Sequence, residues 1–197
     1  MYDRLITRLT NRDHAVLSLK FHDQILTYDA RQVLASFEHA SSKSAEVLHK
    51  LANGGRYRNI SMFAVSLGTP ILTMTAIKFT HFCSVTMITP ATNLATSVWY
   101  GSHTRRIREA FEKRGNTLRD IDTLWQPIAP VNNIYALQDK KVNIIISKVD
   151  KIVPAQYQAD YVSALVAQGI NPDVHQSRLG HYATIGRHCL FGNIDDI

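Results

Sequence analysis

The chain has 197 residues, 45% of them hydrophobic and 19% charged, the proportions of an ordinary globular protein with one sizeable core. That composition excludes an intrinsically disordered chain, and apolar runs such as "ISMFAV" and "VNIIIS" fall far short of the ~20 residues a membrane helix requires. The 22 Lys+Arg against 16 Asp+Glu give a formal net charge of +6, which favours acidic partners in general. No basic start followed by an apolar core and cleavage site follows Met1, so a cytoplasmic location is expected.

In chain order, Tyr2 to Thr10 has the spacing of a short amphipathic helix with Leu5, Ile6 and Leu9 inward, and "HAVLSLKF" (14–21) reads as a strand. Asp29 offers an N-cap to a helix whose apolar residues recur as Val33, Phe37, Ala40, Val47, Leu48 and Leu51, and "NGG" (53–55) ends it. A strand over Ile60 to Val65 follows, then a helix through "ILTMTAIKF" and a strand over "FCSVTMITP". "TRRIREAFEKRGNTLR" (Thr104 to Arg119) reads as one basic helix with Ile107 and Phe111 inward and Arg105, Arg106, Arg108, Lys113 and Arg114 in water, followed by an irregular "TLWQPIAPVNN". "KVNIIISKVD" is a buried strand, "PAQYQADYVSALVAQGI" a helix ended by Gly169, and "DVHQSRLGHYAT" a last short strand running into a loop. No repeat, low-complexity tract or linker divides the chain, so residues 1–197 are expected to form one domain. Strands alternating with helices imply an α/β fold with a mostly parallel sheet and helices on both faces. Ligands of such sheets bind beyond the carboxyl ends of the strands.

Three residues fall at that edge: Ser66, Asp150 and His181, in that chain order. Ala64 and Gly68 flank Ser66, as a sharp strand-to-helix turn demands, because the backbone there approaches too closely for large side chains. The turn directs the Ser66 hydroxyl out of the sheet and leaves the Leu67 backbone N–H at a helix N-terminus, where it can stabilise an oxyanion. A serine hydroxyl is a weak nucleophile until a histidine removes its proton; His181 supplies that base, and Asp150 orients the imidazole.

On "AVSLG" (64–68), "SKVDKIVP" (147–154) and "LGHY" (179–182), the chain resembles the α/β-hydrolase superfamily, from about Tyr2 to Thr184. The resemblance implies a serine hydrolase of esterase, lipase or thioesterase type. Ser66 is then the nucleophile in an elbow, Asp150 the acid and His181 the base, with an acyl-enzyme and no cofactor. The substrate is a small acyl compound: an ester, thioester or amide. Ala64 departs from the more usual glycine. The family's initial strands and glycine-rich oxyanion loop have no counterpart, which implies an N-terminally shortened member. That shortening raises an alternative: a catalytically impaired or inactive fragment with a binding or dimerisation role. Its exposed edge strand "HAVLSLKF" implies a homodimer through that edge.

Other readings stay open beside these. Ser66 suits a helix cap, with Pro70 in the first turn, and Asp150 suits a cap for a helix near Pro154. His181, following Gly180 in a loop, reads as a mobile, exposed imidazole. His175 and His188 are alternatives for the base, and Asp122 and Asp173 for the acid. Trp99, Tyr100 and Trp125 either line a substrate pocket or pack in the core. Cys83 and Cys189 read as free, buried thiols, and neither His81/Cys83 nor His188/Cys189 has metal-ligand spacing, so no metal is expected. The basic segment reads as a solvated face, which leaves nucleic acid an unlikely partner.

Overall fold

In "KVNIIIS" every residue after Lys141 is apolar, small or uncharged, and every one of them is buried. A strand with no exposed face requires cover on both sides, and that requirement sets the architecture. The computed structural model describes residues 2–11, 14–18, 25–55, 57 and 59–191. Four strands, β1 (Ser61–Val65), β2 (Ser84–Ile88), β3 (Lys141–Ser147) and β4 (Asp173–Ser177), form a parallel sheet in the order β1-β2-β3-β4. Val65 pairs with Ile88, Ile88 with Ile145 and Ser147 with Ser177, so the carboxyl ends of the strands are staggered along one edge.

The two-residue alternation of a strand sorts the side chains onto two faces. Met62, Ala64, Val85, Met87, Val142, Ile144 and Ile146 share one apolar cluster with helices α3 (Gly68–Lys78) and α7 (Ala155–Ala167) and with the 3-10 segment Pro130–Leu137. Ile88 and Ile145 belong to the opposite cluster, with Leu5 of helix α1 (Tyr2–Thr10) and Ile185 and Cys189 of helix α8 (His181–Phe191); Phe63 and Val65 pack against it. Each large aliphatic side chain enclosed this way contributes about 1.5–3 kcal/mol.

Helix α3 is buried without interruption from Thr69 to Ala76, because it is sandwiched between the sheet and a second apolar layer. That layer comes from α2 (Ala30–Asn53), α4 (Leu94–Tyr100), α5 (Arg105–Lys113) and α6 (Leu118–Trp125) and holds Phe37, Leu94, Phe111 and Trp125 around Ile71 and Met74. Trp125 is core rather than pocket: its indole N–H donates to the Ala30 carbonyl at 2.8 Å. Helix α2 turns Ser41, Ser44 and Ala45 inward, where small side chains permit close approach to α3. The buried hydroxyls of Ser41 and Ser44 return hydrogen bonds to their own helix, at the carbonyls of Glu38 and Ala40.

Most elements lie where the sequence puts them, with several differences, among them helix α4 in a stretch given no element and the 3-10 segment Pro130–Leu137, which begins in the stretch read as irregular. Residues 14–18 form no strand, and the remainder of "HAVLSLKF" lies outside the described residues. The basic segment is two helices: α5 stops at Lys113, Gly115 takes a φ of 78°, and Thr117 opens α6 with a capping box to Asp120. Arg105 and Arg108 lie 3.5 and 3.8 Å from Glu109 and Glu112, which offsets part of its charge. His181 begins helix α8 instead of lying in a loop. Both cysteines are free, but only Cys189 is buried, its thiol pushed up to about 11 by loss of solvation; Cys83 is exposed. Among the described residues, no helix is long and apolar enough to cross a membrane.

Asp29 caps α2 through one carboxylate oxygen, which accepts from the N–H groups of Arg31 (2.9 Å) and Gln32 (3.1 Å). Those two bonds hold its pKa below the ordinary carboxylate value of 3.8. A depressed folded-state pKa gives stability that is complete above the unfolded value and lost as pH falls through the folded one. The expected outcome is that Asp29→Asn, which keeps an acceptor at the cap, loses less stability than the wild type between pH 6 and about pH 3. Urea unfolding at both pH values reads the difference, and equal losses would show that the Asp29 charge does not stabilise α2.

Candidate active site

At the end of β1 the chain must leave the sheet and enter the buried helix α3 within two residues. Ser66 makes that turn with a φ of 49°, in the left-handed region that non-glycine residues seldom occupy. Its N–H still continues the ladder to the Ile88 carbonyl at 2.9 Å, and its own carbonyl accepts from Thr69 at 3.0 Å and Ala91 at 3.3 Å. The turn is thus held on both sides, which is how a strained residue worth ~1–3 kcal/mol persists. A Cβ on Gly68 would meet the Ala64 Cβ at 3.5 Å, so a small pair at 64 and 68 fits and a large side chain at either would not. The cap position of α3 is Leu67, so Ser66 is not its N-cap. Leu67 leads into a buried helix in whose first turn the Thr69 N–H already bonds the Ser66 carbonyl.

At the end of β3, Asp150 folds its carboxylate back over its own loop. Oδ1 accepts from the N–H groups of Ile152 (2.8 Å) and Val153 (3.0 Å), and Oδ2 from Gln158 Nε2 (3.0 Å). The second partner of Oδ2 is His181 Nδ1, at 2.7 Å. A carboxylate oxygen accepts, so Nδ1 is the donor of this bond and Nε2 is the ring nitrogen turned to other partners. Both side chains are closed to solvent, with relative exposures of 4% for His181 and 0% for Asp150. The imidazole is therefore buried and fixed, contrary to the exposed, mobile group the loop reading predicts. Asp150 also does not cap α7, whose N-cap is Pro154.

Asp150 and His181 are thus in direct contact, whereas among the described residues no hydrogen bond joins the Ser66 hydroxyl to His181. Packing nevertheless relates them: α8, which His181 opens, places Ile185 in the cluster against which Val65, the residue before Ser66, packs. The alternatives lie elsewhere. His175 is within β4, 3.6 Å from Asp173; Asp122 accepts from Asn93 at 2.8 Å between α4 and α6; His188 is two turns along α8. Tyr100 is exposed and stacked on Tyr157, away from these contacts.

Two residues of this edge escape sequence reasoning. Gln158 is fully buried and uses its whole amide: besides Asp150, Nε2 donates to the Val153 carbonyl at 2.8 Å, while Oε1 accepts from the Ser147 N–H at 3.0 Å. Its only signal is a polar residue on the inward stripe of α7. Thr89, which follows β2, has a φ of 45°, is fully buried, and its hydroxyl has no partner among the described residues. A groove of about 360 Å³ opens beside His181, lined also by His103, Val149, Lys151, Ile152 and Tyr182.

Replacing Gln158 with leucine would strand the Ser147 N–H and the Val153 carbonyl and take one donor from Asp150. At ~1–3 kcal/mol per unsatisfied buried group, Gln158→Leu is expected to lower the unfolding free energy by about 2–4 kcal/mol, read from the urea midpoint. A loss below about 0.5 kcal/mol would mean that the Asp150 loop does not depend on this amide.

No family model matches the sequence, and no curated protein is significantly similar to it. The fold, in contrast, is shared with solved structures. An acylaminoacyl peptidase of Pyrococcus horikoshii superposes with a TM-score of 0.62 at 13% identity, over 83% of this chain and 26% of that one. A puromycin-hydrolyzing peptidase of Mycobacterium tuberculosis gives 0.61 at 13%, over 76% and 23%. Carboxyl esterase 2 of the mycorrhizal fungus Tuber melanosporum gives 0.59 at 20%, over 94% and 65%. The chain spans about a quarter of the length of the two peptidases. With its parallel sheet, the helices covering both faces and these structural likenesses, the chain has the α/β-hydrolase fold.

Proposed function

We propose that the chain is a serine hydrolase that cleaves an ester, thioester or amide through an acyl-enzyme. The observation that carries this reading is the buried Asp150–His181 hydrogen bond of 2.7 Å, at the same sheet edge as a serine in a left-handed turn. Solved structures of like fold bear the names of peptidases and an esterase, which supports the reaction class.

In this reading the Ser66 Oγ attacks the carbonyl carbon while His181 Nε2 takes its proton, and the carbonyl oxygen becomes an oxyanion. Asp150, which accepts the hydrogen bond from Nδ1, stabilises the imidazolium without taking the proton. The Leu67 N–H and the dipole of α3 face the developing negative charge. Collapse expels the alcohol, thiol or amine, which leaves with the proton from Nε2. Water then gives a proton to Nε2 and its oxygen to the acyl carbon, and Ser66 regains its hydrogen as the acid departs. The Ser66–His181 bond forms on substrate binding, as catalytic hydrogen bonds of unliganded sites commonly do. No step calls for a cofactor.

A fluorophosphonate probe tests this directly, since an activated serine displaces fluoride and keeps the phosphonyl group. Intact-mass analysis is expected to find one adduct on the wild type and none on Ser66→Ala, with His181→Ala labelling at least about 10³-fold more slowly. A folded wild type that takes no adduct would instead favour a non-catalytic member of the fold with a binding role.

A further inference from the structure

Three segments meet at the groove beside His181, and main-chain and side-chain bonds tie them together. The Ser102 N–H donates to the Lys151 carbonyl at 2.8 Å, joining the α4–α5 turn to the Asp150 loop. The Lys148 N–H donates to the Ser177 carbonyl at 2.9 Å, and Ser147 Oγ to the Leu179 carbonyl at 2.6 Å, joining the Asp150 loop to the segment before α8. Gly101 makes the first junction sterically exclusive: a Cβ there would lie 2.5 Å from the Ile152 carbonyl oxygen and 2.4 Å from that of Ser97. The groove walls are therefore fixed to one another.

Their charges are one-sided. Among the residues that line the groove, Lys151 is the one Lys or Arg, and no acid lines it. Asp150 is buried and fully engaged, so it presents no negative charge to the groove. Among the described residues, Lys148, Lys151 and Arg178 are exposed and have no ion-pair partner. The groove floor is apolar and aromatic: Val149 and Ile152 adjoin Tyr182, which is 63% exposed and stacked on His103 with ring centroids 5.9 Å apart. Apolar and aromatic walls beside one exposed cation, Lys151, select a ligand that has an apolar or ring-bearing body and an anionic end.

We propose that this groove is a recognition site for the negatively charged end of the substrate, so that the enzyme acts on anionic acyl compounds with an apolar or aromatic body. Its use in turnover rests on the hydrolase reading; its binding chemistry does not. Lys151, on the loop that holds Asp150, supplies the nearest cation, and Tyr182, next to His181, supplies the ring face.

The probes are 3-phenylpropionate and its uncharged analogue 3-phenylpropanamide, titrated into the full chain and followed by NMR at low ionic strength. The carboxylate is expected to bind about fivefold more tightly, with shifts centred on Lys151, Tyr182 and His103, and high salt should erase the difference. Lys151→Glu, at an exposed position, should abolish the preference, and Tyr182→Ala should weaken both probes alike. Equal affinities, or shifts centred elsewhere, would overturn the proposal. Because binding is read without chemistry, a carboxylate preference without Ser66 labelling would retain the groove and reject the hydrolase reading. Labelling with equal affinities would do the reverse.

Discussion

The constraint on which this structure depends is that β2 and β3 have no solvent face. Every residue of β2, and every residue of β3 after Lys141, is buried. Parallel strands of this kind fold only when helices close both sides, so the crossovers are obligatory and each strand is followed by a chain reversal at the same edge. Chemistry collects there for a physical reason. Within the sheet the packing is mostly isoleucine, valine and methionine and a buried polar side chain such as Asn143 needs a partner such as Thr86, so the first positions at which a polar group can reach a ligand are the residues just beyond the strands.

The site geometry follows from how those residues are held. Asp150 is a buried carboxylate, which would be costly alone, yet its loop supplies two backbone donors, α7 supplies an amide and α8 supplies an imidazole. Three separate elements are thereby pinned to one pair of oxygens. Gln158 extends the network to Ser147 at the end of β3, so that the carboxylate, the strand and the helix move as one body. The Asp150 contact also orients the ring, since it engages Nδ1 and leaves Nε2 on the far side.

Much of this was legible in the sequence because period and punctuation carry it. Asp29, the "NGG" stop, the apolar run in "SMFAV" and the run after Lys141 in "KVNIIIS" each have a local cause, and the order strand, Ser66, strand, Asp150, strand, His181 follows from them. What was not legible depends on contacts distant in the chain. The inward stripe of α2 passes through Ser41 and Ser44, because α3 packs too closely for leucine there, and no pattern in α2 alone announces it. His181 opens a helix because residues 185 and 189 find an apolar cluster on the sheet; in isolation "LGHY" reads as loop. Gln158 looks like a surface glutamine until Asp150 is folded over it. The break at Gly115 was readable, since Thr117 and Asp120 form a capping box, but the charged run around it dominated the reading.

The backbone at Ser66 sets folding and side-chain identity against each other. A left-handed φ at the end of a strand is one that glycine enters without penalty and serine does not, so the hydroxyl is retained against a local preference. Ser66→Gly would relieve that strain, and it would also remove the only side chain at the tip of the turn. With Ser66 as the proposed nucleophile, a population of variants sorted on thermal tolerance alone would be drawn toward that change, while one sorted on turnover would be barred from it; on that proposal, position 66 is where the two pressures part company.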